Sequence, residues 1–194
     1  MACGVDRRYP DAVSEAPPAP EPTADALAAR AARMRPWLEQ ADARGFPPWL
    51  GPIAAASPLN ATPYVVALSS LAAGEVLAHR ARLVDALVTA LGEMRPQGVE
   101  PVAALIGGSA LDRDAEPRDL DCVIFYAAAG AAPVEWLAQA QARWRSSGLD
   151  ARLVPADADP LMLVKATSFF TSLYARTKAS DRLTRGLLLV DCRI

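Results

Sequence analysis

The sequence predicts an α/β or α+β domain, a mixed sheet flanked by helices with an N-terminal helical extension. Three observations carry this. Short apolar runs with strand-like alternation recur at Val102–Ile106, Leu120–Tyr126 and Leu149–Pro155. Runs with apolar residues at three- and four-residue steps, bounded by caps and breakers, precede, separate and follow them. No apolar stretch approaches the ~18 residues that would span a bilayer, so the apolar content goes to a globular core. A chain of 194 residues is one domain, or one domain with an appended segment, and buries roughly 70% of its unfolded surface.

In chain order, residues 1–23 hold Pro10, Pro17, Pro18, Pro20 and Pro22 among Ala, Glu and Asp, which cannot nucleate a core and predicts a disordered leader. Thr23-Ala24-Asp25 opens a helix through about Ala43, with Leu27, Ala28, Ala31, Met34 and Leu38 in step and Pro36 kinking or interrupting it. Arg44 to Pro63 is rich in breakers around Phe46, Trp49, Leu50 and Ile53. Such a segment is a peptide groove, a protein contact or a wrap packed on the domain, and we favour the wrap. Together with the helix it forms residues 24–62, ahead of a domain over 63–194.

Within that domain Pro63 to Leu68 is β-leaning. Ser69 and Ser70 offer an N-cap for a long helix from Leu71 or Glu75 to Met94, with Leu77, Ala81, Val84, Leu87, Val88 and Leu91 on one face and Gly98 closing it. After the strands at 102–106 and 120–126, Pro133 to Ser146 reads as a helix with Trp136, Leu137, Ala140 and Trp144 inward, stopped by Gly148. The strand at 149–155 follows. Asp159 then caps a helix with Pro160 in its first position, running to about Thr177. A turn at Arg182–Arg185 and a strand from Gly186 to Cys192 end the chain.

Charge and residue counts exclude several functions. The net charge is −2 with no Lys/Arg block, so no extended nucleic-acid surface is expected. His79 is the only histidine; it stands beside Arg80 and Arg82 and reads as a surface residue, which removes most zinc-hydrolase and Ser-His-Asp chemistry. Cys3, Cys122 and Cys192 lack metal-type spacing. Cys122 and Cys192 read as buried thiols in a reducing, cytoplasmic protein. No membrane segment or secretion signal is apparent.

The chemistry concentrates at Gly107-Gly108-Ser109 and Asp119-Leu120-Asp121. On a strand, Asp119 and Asp121 point to one face and Leu120, Cys122, Ile124 and Tyr126 to the other. Two adjacent carboxylates repel unless a cation lies between them, and Mg²⁺ is the cation that uses one or two carboxylates plus water and phosphate oxygens. Asp150 opens the next alternating strand and would join them if the strands are neighbours. Three such acids suit phosphoryl or nucleotidyl transfer. Gly107 and Gly108 let backbone N–H groups approach a phosphate, with the Ser109 hydroxyl beside them, and Arg113 and Arg118 flank the loop.

Gly108-Ser109, a loop of nine residues, and Asp119-Leu120-Asp121 inside an apolar run resemble the signature of the polymerase-β-like nucleotidyltransferase superfamily, in a minimal bacterial branch. The likeness extends over Pro63-Tyr64-Val65, Pro117-Arg118-Asp119 and Arg185-Gly186-Leu187-Leu188. It implies a nucleotidyltransferase-type mixed sheet. It further implies Asp119, Asp121 and Asp150 as metal and catalytic residues, and Gly107, Gly108 and Ser109 at the triphosphate of an NTP. Many members carry Arg or Lys directly after the Ser; here Ala110, Leu111 and Asp112 follow, which leaves Arg113 and Lys165 as candidates for the triphosphate. The acceptor would be a hydroxyl on a protein, an RNA end or a small molecule. The alternative is a non-catalytic protein of the same fold, an antitoxin- or immunity-like partner using Phe46 to Ile53 as its contact. An aminoglycoside-type adenylyltransferase ranks third, because such enzymes use a larger C-terminal helical domain.

Overall fold

A computed structural model describes residues 22–128, 130, 133–157, 159–177, 180–183 and 185–193. The predicted leader and Cys3 lie outside these residues. The architecture is α+β: a five-stranded mixed sheet flanked by helices. In chain order it comprises α1 (Ala24–Ala43), β1 (Tyr64–Ala67), α2 (Leu68–Ala72), α3 (Ala81–Met94), β2 (Val99–Gly107) and β3 (Leu120–Ala128). Then come α4 (Val134–Ser146), β4 (Leu149–Pro155), α5 (Pro160–Tyr174), β5 (Arg176–Thr177), β6 (Ser180–Leu183) and β7 (Leu188–Asp191). Strands β5 and β6 form a separate antiparallel pair.

The main sheet is ordered β1-β7-β2-β3-β4. Strand β7 runs parallel to β1 and antiparallel to β2; β2 is antiparallel to β3, and β3 parallel to β4. The last strand in sequence is therefore inserted between β1 and β2, which ties the two ends of the domain together.

Alternation divides the sheet cleanly. Tyr64, Val66, Ile106, Leu120, Cys122, Ile124, Leu149, Ala151, Leu188 and Val190 face the larger core, under α1, α3 and α4. Leu105, Val123, Phe125, Val154 and Leu189 face a smaller core under the C-terminal end of α5, with Phe170 and Tyr174. Leu38, Ala41, Phe46 and Leu50 belong to the larger core, so residues 24–62 pack into the same body as the domain that follows.

Most elements fall where periodicity puts them, with informative differences. Thr23 caps α1 by accepting from the Ala26 N–H at 3.3 Å, and the helix continues through Pro36 without interruption. The long helix expected up to Met94 is two helices. Gly74 (φ 74°) and Leu77 (φ 56°) adopt left-handed backbone between α2 and α3, and no side chain caps α2, whose N-cap is Ala67. Leu77 is 1% exposed. Burying that side chain is worth about 2 kcal/mol, enough to offset roughly 1–2 kcal/mol of left-handed backbone. Helix α5 ends at Tyr174, short of Thr177, which pairs instead in β5. The expected turn at 182–185 begins as β6. Strand β2 starts three residues before its predicted beginning and ends one residue later, and β3 runs two residues past its predicted end.

In the wrap, Phe46 and Leu50 are buried while Ile53 is exposed. Buried Asn60 fixes its turn: its Nδ2 donates to the carbonyls of Leu50 (3.2 Å) and Ala55 (3.1 Å), and its Oδ1 accepts from the Ser57 N–H at 2.7 Å. The favoured reading of this segment, a wrap packed on the domain, matches that placement. Among the described residues no helix is long and apolar enough to cross a membrane.

Candidate functional site

Strand register builds the site. Gly107, the last residue of β2, pairs with Asp121 on β3. Asp121 in turn pairs with Asp150 on β4. Paired residues share a face and neighbouring strands lie about 4.8 Å apart, so Gly107, Asp121 and Asp150 form one row across three adjacent strands, on the face that α5 covers. Asp119 is exposed in the bend just before β3. That bend is held where β4 begins, by the Leu120 N–H donating to Gly148 O at 2.8 Å.

Both glycines are required by close approach. A Cβ on Gly107 would overlap Tyr174 Cβ and come within 3.0 and 3.1 Å of its ring carbons. Gly108 has φ 73°, and a Cβ there would overlap the Asp121 carboxylate. The turn backbone thus lies directly against that acid. Residues Gly108–Leu111 then make one 3-10 turn, which places half-buried Ser109 beside the row.

The loop after this turn is held by arginines from elsewhere in the fold. Arg80 donates to the carbonyls of Ala110 (3.3 Å), Asp112 (2.7 Å) and Ala115 (2.6 Å). Arg185 donates to Asp112 Oδ2 at 2.9 Å. Arg113 ion-pairs with Asp42 of α1 at 3.2 Å, and therefore anchors the loop to the helical extension. Lys165 is exposed on α5, nine residues before Tyr174, about 14 Å back along the helix axis. Of the eight residues singled out in the sequence, the fold groups Gly107, Gly108, Ser109, Asp121 and Asp150, sets Asp119 at the edge of the group, and leaves Arg113 and Lys165 outside it.

Three further residues of this neighbourhood are not among those singled out in the sequence. Tyr174 closes α5 over Gly107, and its hydroxyl lies 3.5 Å from Cys122 O. Burial pushes the Tyr174 pKa well above its ordinary value; the charges of Cys122, Asp121 and Asp150 add to this and Arg152 opposes it. Arg145, from the end of α4, donates to Asp150 Oδ1 at 3.1 Å, and Arg152 donates to Asp150 Oδ2 at 3.4 Å. Arg152 has a partial signal, two residues from Asp150 on an alternating strand; Tyr174 and Arg145 come from helices whose docking no local pattern reports.

The residues fit Mg²⁺ through the chemistry of their donors. Asp121 offers hard carboxylate oxygens against the turn backbone, Asp119 is exposed two residues before it, and Mg²⁺ needs only one or two carboxylates when phosphate and water fill the rest. Among the described residues no group of three or more His, Cys, Asp and Glu side chains forms a ready metal cage, and both oxygens of Asp150 are engaged by arginines. Cysteine chemistry has no opening here: burial pushes the Cys122 thiol up, and the Cys192 thiol up to about 12. His79 is exposed and its pKa is lowered by burial and by Arg80 and Arg113. Hollows of about 400 and 410 Å³ flank α1, one against β1 and α2 and one at Asp42 and His79, away from the acid row.

Compared with known proteins, residues 64–191 match the model of a family of unknown function (DUF6932). No curated protein and no solved structure matches the chain.

Proposed function

The chain belongs to the DUF6932 family, and for it we propose Mg²⁺-dependent nucleotidyl transfer, moving an NMP from an NTP to a hydroxyl on a protein, RNA end or small molecule. The observation that carries this reading is the row Gly107–Asp121–Asp150, with the Gly108 backbone against the Asp121 carboxylate. Carboxylates of the kind that hold a metal, next to a glycine turn of the kind that admits phosphate, are the juxtaposition the chemistry needs, and this supports the reading.

In this reading Asp119 and Asp121 would hold Mg²⁺, with Asp150 as third ligand or base. When bound, Mg²⁺ supplies charge neutralisation at the triphosphate and polarises the α-phosphate. Ser109 and the backbone N–H groups of the turn orient the phosphate chain. The acceptor oxygen bonds to the α-phosphorus as the bond to the β-phosphate oxygen breaks, pyrophosphate leaves, and a carboxylate of the row takes the acceptor's proton. Tyr174, kept protonated by burial, holds its ring across Gly107 and fixes the height of the turn.

A second reading, a non-catalytic interaction protein, is favoured by one observation. Leu161, Met162, Val164, Phe169 and Leu173 are all exposed on α5, from 51 to 74%, an apolar surface that a partner would cover. With Phe46 and Leu50 buried, this helix replaces the 46–53 segment as the contact of that reading. Pyrophosphate release with each of the four NTPs in Mg²⁺, in the presence of lysate as acceptor, separates the two. Release that is lost in Asp121→Asn supports transfer, and no release together with a stable co-purifying protein supports the second reading.

A further inference from the structure

Asp150 is unusual in the row because both of its oxygens are already matched by cations. Arg145 and Arg152 each reach it through a single nitrogen, at 3.1 and 3.4 Å. A guanidinium has five donors, so each contact uses a small part of what the side chain offers. The arginines are well exposed, 62% for Arg145 and 49% for Arg152, whereas Asp150 is 25% exposed. Strand β4 is the outer strand of the sheet, so the pair borders solvent and an incoming anion has a free approach.

Register places Arg152 in the site. It shares the Asp150 face of β4 and pairs with Val123, the next residue on the same face as Asp121. Its charge also acts on Tyr174. Neither Arg113, paired with Asp42, nor Lys165, further back on α5, lies in this row. In the protein alone, two carboxylates directly opposite on neighbouring strands repel, and the two arginines offset that repulsion. Once a divalent cation takes over that role, the arginines are released next to a polyphosphate, the anion that guanidinium groups match best.

We propose that Arg152, assisted by Arg145, is a phosphate-binding residue of this site that exchanges the Asp150 carboxylate for the triphosphate when nucleotide enters; this rests on the nucleotidyl-transfer reading above. Arg152 is thereby both the counter-charge that keeps the row together before nucleotide enters and the group that grips the substrate. Because the pairing holds Asp150 away from metal, removing the arginine affects metal and nucleotide in opposite directions.

The test uses the full chain and two probes. Mn²⁺ is titrated alone, followed by its electron paramagnetic resonance signal, and the Mg²⁺ complexes of the α,β-methylene analogues of the four nucleoside triphosphates are titrated by calorimetry. For Arg152→Ala the expected result is analogue binding weakened about tenfold or more, the loss of one charge-assisted phosphate contact, with Mn²⁺ bound at least as tightly as by the unaltered protein. Arg152→Lys recovers part of the analogue affinity, and thermal melts of both variants report that the fold is retained. Analogue affinity unchanged in Arg152→Ala, with the unaltered protein binding the analogue, overturns the exchange and leaves the nucleotidyl-transfer reading standing. If the unaltered protein binds no analogue, the reading beneath it fails as well.

Discussion

At the scale of single residues, Gly107 meets the tightest packing constraint in the site. Its missing Cβ is the space that Tyr174 fills, so the turn and the end of α5 are interlocked through one hydrogen atom. Gly107→Ala is expected to destabilise the protein by about 1–3 kcal/mol, the usual range for overpacking, read from the denaturant midpoint. Combining it with Tyr174→Gly, which removes the Cβ that the new methyl would overlap, is expected to destabilise less than the two changes summed. Equal additivity would place Tyr174 elsewhere. Asp121, Asp150 and the glycines were legible in the sequence because alternation along a strand is local, whereas Asp119 lies in the bend before β3, off the strand on which its shared face with Asp121 was read. Tyr174 and Arg145 were not legible, because each reaches the site from a helix whose docking depends on the whole sheet. Arg113 shows the same limit from the other side. Its position beside the turn suggested phosphate, but Asp42, far away in sequence, takes its guanidinium.

At the scale of elements, the wrap between α1 and β1 depends on Asn60. Its side chain serves two carbonyls and one N–H, and the Leu50 carbonyl it reaches is beside a side chain only 4% exposed. Asn60→Ala is expected to lower unfolding stability by about 1–3 kcal/mol through the orphaned polar groups, with β1 the first strand to lose amide-exchange protection. A variant as stable as the original would show that water replaces the side chain fully. Strands and helices were largely foreseeable, because alternation and helical period reflect which face is buried. The break between α2 and α3 was not. Leu77 fits the helical period as well as Ala81 does, and only its burial in the assembled core decides that the backbone turns left-handed there. The insertion of β7 between β1 and β2 was equally hidden, since an apolar run carries no address.

At the scale of the whole molecule, Asp191 ties the N-terminal helix to the sheet. It accepts from the Arg193 N–H (3.2 Å), Nε (2.9 Å) and Nη2 (3.2 Å), and pairs with Arg30 of α1. Burial alone raises its pKa, but the Arg193 hydrogen bonds and the charges of Arg193 and Arg30 outweigh this and leave it below the ordinary carboxylate value. A lowered folded pKa means that this stabilisation is fully present above the unfolded value of about 3.9. It is lost as pH falls through the folded value. Asp191→Asn is therefore expected to melt below the unaltered protein at pH 7, with the gap closing as pH falls below about 4; a gap that is constant to pH 2 would contradict the assignment. Among the described residues the chemically distinctive feature is the row of glycine and carboxylates at one end of β2, β3 and β4, and the proposed activity rests on it. Transfer from NTPs labelled at the α- or the γ-phosphate, with Mg²⁺ and lysate, tests that claim most directly. The α-label is predicted to stay on an acceptor and the γ-label to leave as pyrophosphate, both abolished by Asp121→Asn. Transfer that persists in Asp121→Asn, or retention of the γ-label on the acceptor, would contradict it.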